Sequence, residues 1–382
     1  MNLCDSIKYS IYSVALLTLR ATFALMKFRR SRYNYVIYKV DRIGDWFIAQ
    51  GAIQALVRAK PGRGLLLVSS LIDVEFVAKH VPGIEVRTLH FKNEGIRAIL
   101  ANFGAALQLA SDGAFRDCIV LRHKVTLLRE FLIRIISADV VTLVDESDLE
   151  LEREYPWLKP RRGPRETVVY AAPGVAGEVL RGYAREHMLH FLVVQRHLGL
   201  TEWADLRTRL ASFSRSDWLV VCPFGSASIR DYPPAAWGEL IEGICRMFNL
   251  TQVVFPVTVS AVRRTEELIR VMRLSPKLLV RLVDSPTLDS FVDAVVGARY
   301  VLTVESAAAH IAACSDQEGV VLIGGGHYGL YGPWGFSDKL KWVTNRLDCF
   351  GCNWTCVRPA VDCITQIKPS QILAEIAVAA GN

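Results

Sequence analysis

Glu305 and His310 place a carboxylate and an imidazole in one short segment, residues 301–313, which reads VLTVESAAAHIAA. Its apolar, β-branched start predicts a buried strand. The alanines predict a helix that Ser306 caps and that runs to about Cys314. Backbone N–H groups at a turn from strand to helix can hold a phosphate at the carboxyl edge of an α/β sheet. An ordinary corner with a solvated Glu305 and a packed His310 is the alternative.

Asp45 ends the motif RIGD, which follows the first predicted strand, residues 35–40. We expect a turn over 41–45, made close by Gly44, and a helix over 46–59 that Asp45 opens. A carboxylate at this edge could take the proton of an acceptor hydroxyl as the hydroxyl attacks an electrophilic carbon. Asp is also a common helix cap, and spacing alone does not separate the two roles.

The loop 223–233 carries small, hydroxyl-bearing and basic residues after a predicted strand, residues 218–222. Backbone N–H groups near Gly225 and Ser226 could cradle a phosphate, and Arg230 could neutralise it with a bidentate contact. The alternative is a surface loop with a solvated arginine. The segment is therefore a candidate anion site.

Two further segments stand at the ends of predicted strands. Arg122, His123 and Lys124 could meet an anionic acceptor, or they could form a solvated basic loop. The glycines 324–326 would let a ligand approach the backbone, although a lone glycine run is weak evidence. His327, which follows them, is expected to pack within its loop.

Four cysteines lie within a fifteen-residue stretch near the end of the chain: Cys349, Cys352, Cys356 and Cys363. Their number is that of a tetrahedral site, which predicts a structural zinc or iron ion. The spacing differs from the paired pattern of a zinc ribbon, so four free thiols or a redox pair stay open. The other five cysteines are scattered, mostly in apolar segments, and are expected to act as small core residues.

The composition predicts a globular chain with a substantial core. Its 382 residues are 51% hydrophobic and 22% charged, which favours two domains. A net charge of +7 suits an anionic partner such as a nucleotide diphosphate, an acidic glycolipid or a membrane surface. No basic stripe interleaved with aromatic residues indicates nucleic acid. Scattered thiols without a secretion signal indicate a reduced, cytoplasmic protein.

Residues 7–28 are rich in apolar side chains, but their apolar core is too short to span a bilayer and lacks a small-residue cleavage site. The basic flank of Arg29, Arg30 and Arg32 fits an amphipathic helix on the anionic surface of the inner membrane. A helix packed on its own domain, or on a second subunit of a homo-oligomer, is the alternative.

Strands alternate with helices along the chain, which predicts parallel, doubly wound sheets. We expect an N-terminal helix over 1–34 and two Rossmann-like domains, 35–205 and 206–382. A helix is predicted over 125–136, and the charged stretch 150–180, with its prolines and glycines, is predicted to be a loop. Two such domains facing each other would leave a cleft for two substrates.

Together the motifs resemble glycosyltransferase family 9, the heptosyltransferases of lipopolysaccharide core assembly. Residues 43–45 are similar to the family's (I/L)-G-D, and 223–233 to its P-G-(S/T)…K-x-(W/Y)-P loop. Residues 305–312 are similar to D-(T/S)-G-(P/L)-x-H-(L/I)-A, and 332–333 to a G-P after a glycine-rich strand end. Many members also carry a late cysteine cluster. The resemblance covers roughly residues 35–380.

The resemblance implies a GT-B fold and inverting transfer without a catalytic metal. The donor would be a nucleotide diphosphate sugar such as ADP-heptose, and the acceptor a lipopolysaccharide, another surface glycan or glycolipid, or a protein. It makes Asp45 the general base. The residues that it assigns to the donor are Gly225, Ser226 and Arg230 for the diphosphate, and Glu305, Ser306, Ala307 and His310 for the sugar and phosphate.

The chain departs from the family at several of these positions. Arg230 replaces a lysine, Glu305 an aspartate and Ala307 a glycine, and residues 257–264 hold no clear counterpart of the acidic residue that usually contacts the ribose. These changes put the donor's identity in question. The alternatives are a degenerate fold that binds a nucleotide or glycan without turnover, and a nucleotide-sugar epimerase of similar two-domain shape.

Overall fold

The computed structural model describes residues 31–380, except 91–94, 114, 123–128, 130–131, 134–135, 137, 146–165, 171–179 and 212–214. Residues 1–30 of the predicted N-terminal helix and most of the predicted helix 125–136 lie outside these residues. The chain divides into two compact units. Their described parts fall within Met1–Arg42, Ala49–Gly177 and Leu189–Leu206 for the first unit, and Ile43–Ile48, Glu178–Met188 and Arg207–Asn382 for the second.

The first unit is built on a six-stranded parallel sheet in the order β3-β2-β1-β4-β5-β6. Its strands are β1 (Tyr35–Lys39), β2 (Gly64–Ser69), β3 (Glu85–Leu89), β4 (Phe115–Val120), β5 (Ala138–Asp145) and β6 (Glu166–Tyr170). The described helices that accompany it are α1 (Ile43–Ala59), α2 (Val74–His80), α3 (Gly95–Ser111) and α4 (Arg185–Leu198). Every residue of β1 and β2 is buried, as expected for central strands covered on both faces.

The second unit has the same design, with the strand order β12-β11-β10-β7-β8-β9. Its strands are β7 (Ser216–Cys222), β8 (Gln252–Val257), β9 (Leu279–Asp284), β10 (Ala298–Val304), β11 (Gly319–Leu322) and β12 (Leu340–Val343). Its helices are α5 (Pro234–Met247), α6 (Val262–Met272), α7 (Leu288–Val296), α8 (Ala307–Cys314), α9 (Asp362–Thr365) and α10 (Pro369–Ala380).

Both sheets reverse their winding once, between β1 and β4 and between β7 and β10. This is the doubly wound Rossmann order, so the predicted α/β fold class is confirmed. Open α/β sheets bind ligands beyond the carboxyl ends of the strands at such a reversal. In the second unit that point lies between the loops that follow β7 and β10.

Two local predictions were wrong, and one strand was missed. β6 lies inside the stretch 150–180 that was predicted to be a loop, because the short run Thr167–Val169 pairs with β5 although charged residues, prolines and glycines surround it. Helix α1 begins at Ile43, so Asp45 lies in its first turn rather than in a turn before it. The strand β12 is only four residues long, and it forms by pairing with β11 at the edge of the sheet. Its own sequence therefore gives little sign of it.

Among the described residues, none of the helices combines the length and the apolar character that crossing a membrane requires.

Candidate functional site

The loops after β7 and β10 meet in a buried ion pair. Arg230 lies in a 3₁₀ turn, Ser228–Arg230, and its Nη1 donates to Glu305 Oε2 at 2.7 Å and to the Glu305 carbonyl oxygen at 2.8 Å. Its Nη2 donates to Ser226 Oγ at 2.5 Å. Each residue of the pair is only 4% exposed. Pairing of β7 with β10, with Cys222 opposite Thr303, places the two loops side by side.

Two histidines complete the surroundings of the Glu305 carboxylate. His327 Nδ1 lies 2.8 Å from Oε2, and His310 Nε2 lies 3.7 Å from Oε1. Burial by itself would raise the pKa of Glu305, but His327, His310 and Arg230 together lower that pKa well below its usual range. The carboxylate is therefore charged at neutral pH. The sequence-based expectation that His327 only packs in its loop missed this contact.

The start of helix α1 lies against the same turn. Residues 43–48 belong to the second unit by their contacts, and Thr208 Oγ1 donates to the Phe47 carbonyl oxygen at 2.6 Å. A Cβ atom on Gly44 would lie 2.7 Å from His310 Cδ2, so only glycine fits there without a shift. The half-buried Asp45 is the next residue. The structure thus places the candidate base one residue from the contact with His310.

Other residues of the predicted donor site lie around this ion pair. Gly225 packs on the guanidinium, because a Cβ there would be 3.0 Å from Arg230 Cζ. Ser306 holds the N-cap position of α8, but its side chain makes no capping hydrogen bond. Its Oγ lies 3.2 Å from Thr303 Oγ1 instead. Ala307 is the first residue of α8, and its proposed role, like those of the other donor residues, stays a prediction.

The glycine run 324–326 serves the packing of the cysteine loop rather than the approach of a ligand. A Cβ on Gly324 or Gly326 would collide with the Trp354 ring, and one on Gly325 with the Phe350 ring. The Trp354 ring also meets His327 edge-on, at 5.2 Å between ring centres. The sequence signal for close approach was sound, but the groups that approach are aromatic side chains of the same chain.

The cysteine loop gives no support to the predicted structural metal. Cys349 and Cys352 are partly exposed, Cys356 is exposed and Cys363 is buried. In the described part of the chain, no group of three or more His, Cys, Asp or Glu residues is placed to hold a metal ion. Aromatic rings of this loop, those of Phe350 and Trp354, pack on the glycine run instead.

The predicted acceptor residues are described only in part. Arg122 is buried in the first unit, where its Nη1 donates to the Val40 carbonyl oxygen at 2.6 Å and its Nε lies 3.8 Å from Asp41 Oδ1. His123 and Lys124 lie outside the described residues. Arg122 therefore ties the end of β1 to the end of β4, and its role toward an acceptor stays a prediction.

Comparison with known proteins points to one family. Residues 194–354 match the family model of glycosyltransferase family 9 (heptosyltransferase). This segment of the chain is similar to glycosyltransferase family 9. The matched segment includes the loop after β7 and the turn that holds Glu305 and His310. The resemblance inferred from the motifs is thereby confirmed. A search of curated proteins found no match to the chain.

Solved structures agree on the fold over nearly the whole chain. A glycosyltransferase family 9 protein from Veillonella parvula DSM 2008 aligns with a TM-score of 0.61 at 14% identity, over 91% of this chain and 97% of that one. E. coli ADP-heptose lipopolysaccharide heptosyltransferase II aligns with a TM-score of 0.60 at 13% identity, over 90% of this chain and 98% of that one. E. coli heptosyltransferase WaaC, solved with ADP-2-deoxy-2-fluoro heptose, aligns with a TM-score of 0.58 at 13% identity, over 90% of this chain and 99% of that one. Identities this low establish the fold alone.

Proposed function

We propose that the protein is an inverting glycosyltransferase that moves a heptose-like sugar from a nucleoside diphosphate sugar to a hydroxyl group. The observation that carries the proposal is the contact of Gly44, next to Asp45, with His310 at the reversal point of the second sheet. The family match, the ligand bound to E. coli WaaC and the name of E. coli ADP-heptose heptosyltransferase II favour ADP-heptose as the donor. Inversion and the acceptor are parts of this proposal.

The donor's diphosphate would lie over the loops after β7 and β10. The N-terminus of α8 presents backbone N–H groups there, and helix N-termini favour negative charge. Arg230 Nε has no hydrogen-bond partner in the described part of the chain, so its N–H is not used by the contacts with Glu305 and Ser226. These groups supply positive potential to a leaving diphosphate, and we propose that no catalytic metal is needed. Transfer that survives EDTA would support this point, and transfer abolished by EDTA and restored by a divalent cation would contradict it.

Asp45 would act as the general base. Its carboxylate stands in the first turn of α1, where it could accept the proton of the attacking hydroxyl. In Asp45→Asn, we expect kcat for sugar transfer to fall by about 10²–10⁴-fold, with donor binding retained. The matched control is Asp73→Asn, another aspartate at a helix start, which should keep full activity. Full transfer activity of Asp45→Asn would refute the assignment.

Nucleotide binding and turnover separate this proposal from a binding protein without activity. ADP, GDP and UDP, each alone, should be compared by thermal shift, because a ligand that binds only the native state raises Tm. Purified protein should then release ADP from ADP-heptose only when a hydroxyl acceptor is present. Stabilisation by ADP without any release would favour the degenerate binding fold.

The acceptor and its location complete the proposal. We propose a lipopolysaccharide, another surface glycan or a protein hydroxyl as the acceptor, in the cytoplasm or at the inner membrane surface. The net charge of +7 favours an anionic acceptor or surface. Sedimentation with vesicles of anionic and of neutral lipid tests the membrane contact. Light scattering on the eluted protein tests the proposed homo-oligomer.

A further inference from the structure

Trp334 makes a direct hydrogen bond to the imidazole of His310. Its indole Nε1 lies 3.0 Å from His310 Nδ1, and the residues are 2% and 1% exposed. An indole N–H can only donate, so His310 Nδ1 must be the acceptor and carries no proton. The hydrogen of a neutral imidazole then resides on Nε2. The chain thus selects one of the two tautomers of His310.

The selected tautomer directs its N–H toward the candidate donor site. His310 Nε2 lies 3.7 Å from Glu305 Oε1, beyond normal hydrogen-bond distance. On another side it faces Gly44, where a Cβ would be 3.2 Å from it. Nε2–H is therefore directed between the Glu305 carboxylate and the backbone of Gly44 at the start of α1. An anionic oxygen that came within hydrogen-bond distance of Nε2 would receive a hydrogen bond from a neutral donor.

Trp334 is itself held in place from several sides. Its ring meets His187 edge-on, at 4.7 Å between ring centres and 68° between planes, and lies nearly parallel to His310 at 19°. Trp342 Nε1 donates to the Trp334 carbonyl oxygen at 3.0 Å. Gly332, two residues earlier, packs on the Trp342 ring. These contacts hold the indole N–H in one direction.

We propose that Trp334 is a positioning residue that keeps His310 as a neutral Nε2–H donor to a phosphate oxygen of the nucleoside diphosphate sugar. This inference rests on the proposed function for the identity of the ligand. The selection of the tautomer follows from the indole alone. If the indole N–H is lost, Nδ1 can take the proton, and the lone pair on Nε2 then faces the anion and repels it.

The first test is ¹⁵N NMR of wild-type protein labelled at histidine, at neutral pH. The Nδ1 resonance of His310, identified by its disappearance in His310→Gln, should be that of an unprotonated ring nitrogen. A protonated Nδ1 would overturn the proposal. This measurement needs neither a tryptophan variant nor any transferase activity.

The second test is Trp334→Phe, which keeps an aromatic ring and removes the N–H. We expect a second tautomer signal for His310 and binding of ADP weakened roughly ten-fold or more, the usual effect of losing one hydrogen bond to a charged group. Trp218→Phe is the matched control, because the indole N–H of Trp218 has no hydrogen-bond partner among the described residues. That control should change neither quantity.

The outcomes are distinguishable from failure of the proposed function. Unchanged tautomer and ADP affinity in a folded Trp334→Phe protein would overturn the positioning role. Wild-type protein that shows the expected tautomer and binds ADP, but transfers no sugar, would contradict the transferase and support the positioning of His310. If Trp334→Phe does not fold, the wild-type NMR spectrum decides.

Discussion

The ion pair between Arg230 and Glu305 allows the sharpest stability prediction. Glu305→Gln keeps the size of the side chain and removes its charge, which leaves the buried Arg230 guanidinium without its anion. Breaking a buried pair by removing one partner costs about 3–5 kcal/mol. Gln can still accept from Nη1, and Arg230 keeps the Glu305 carbonyl oxygen and Ser226 Oγ, so we expect about 3 kcal/mol.

The assay is thermal unfolding followed by circular dichroism at neutral pH without nucleotide. For a unit of this size, 1 kcal/mol shifts Tm by about 2–4 °C, so the variant should melt roughly 6–12 °C lower. The matched control is Asp338→Asn. It breaks the pair with Arg181, in which the two side chains are 76% and 88% exposed. Such a pair contributes less than about 1 kcal/mol, so the control should shift Tm by at most a few degrees.

The pH dependence has a defined sign. Because the folded-state pKa of Glu305 lies well below 4.5, its ordinary value, the carboxylate stabilises the fold fully above that value. The stabilisation is lost as the pH falls below 4.5 toward the folded-state pKa. The Tm difference between wild type and Glu305→Gln should therefore be constant near neutral pH and shrink below pH 4.5. Equal Tm losses in Glu305→Gln and Asp338→Asn, or a difference that grows in acid, would refute the reasoning.

Three further predictions concern steric contacts and thiols. Gly44→Ala should lower the sugar-transfer rate, because the added methyl group would collide with His310. The control is Gly104→Ala in α3, where a Cβ would have no neighbour within 4 Å. It should keep the rate and gain about 0.5–1 kcal/mol of stability. Gly325→Ala should lose about 1–3 kcal/mol in thermal unfolding because it overlaps the Phe350 ring, whereas Gly335→Ala, whose methyl group would have its nearest neighbour at 3.5 Å, should lose less. Iodoacetamide should modify the exposed Cys356 well before the buried Cys222, since burial raises the pKa of the Cys222 thiol to about 12. Peptide mass spectrometry gives the order, and early labelling of Cys222 would contradict the buried placement.

Local sequence patterns were sufficient for most of the fold. Strands such as β7 and β10 are short apolar runs with β-branched residues, and helix α8 begins after Ser306 and ends at Cys314 as predicted. These signals depend on neighbouring residues only. Elements that depend on a partner were missed, as with β6 and β12, because a strand in a weak sequence context forms when a neighbouring strand offers its hydrogen bonds.

The cysteine segment carries a local pattern that the described structure does not support. Cys349, Cys352, Cys356 and Cys363 have the number and closeness of a metal site, yet the described structure assembles no such group. The informative residues of this segment were Phe350 and Trp354, whose rings fill the space above the glycines 324–326. The glycines 324–326 and the two aromatic residues are each a weak signal in the sequence. The reason for both becomes clear only in the folded chain, where the rings pack on the glycines.

The sequence by itself determined the alternation of strands and helices, the motifs at strand ends and the family that they resemble, because each is written in a few adjacent residues. The tertiary structure alone decided how those motifs are used. Arg230 and Glu305 are 75 positions apart, and only the reversal of strand order between β7 and β10 brings them together. In the folded chain the two residues, each from a segment predicted to bind a phosphate, form a buried ion pair with each other. A charge in the protein interior must be compensated there, and no one-dimensional pattern records which side chain supplies the compensation.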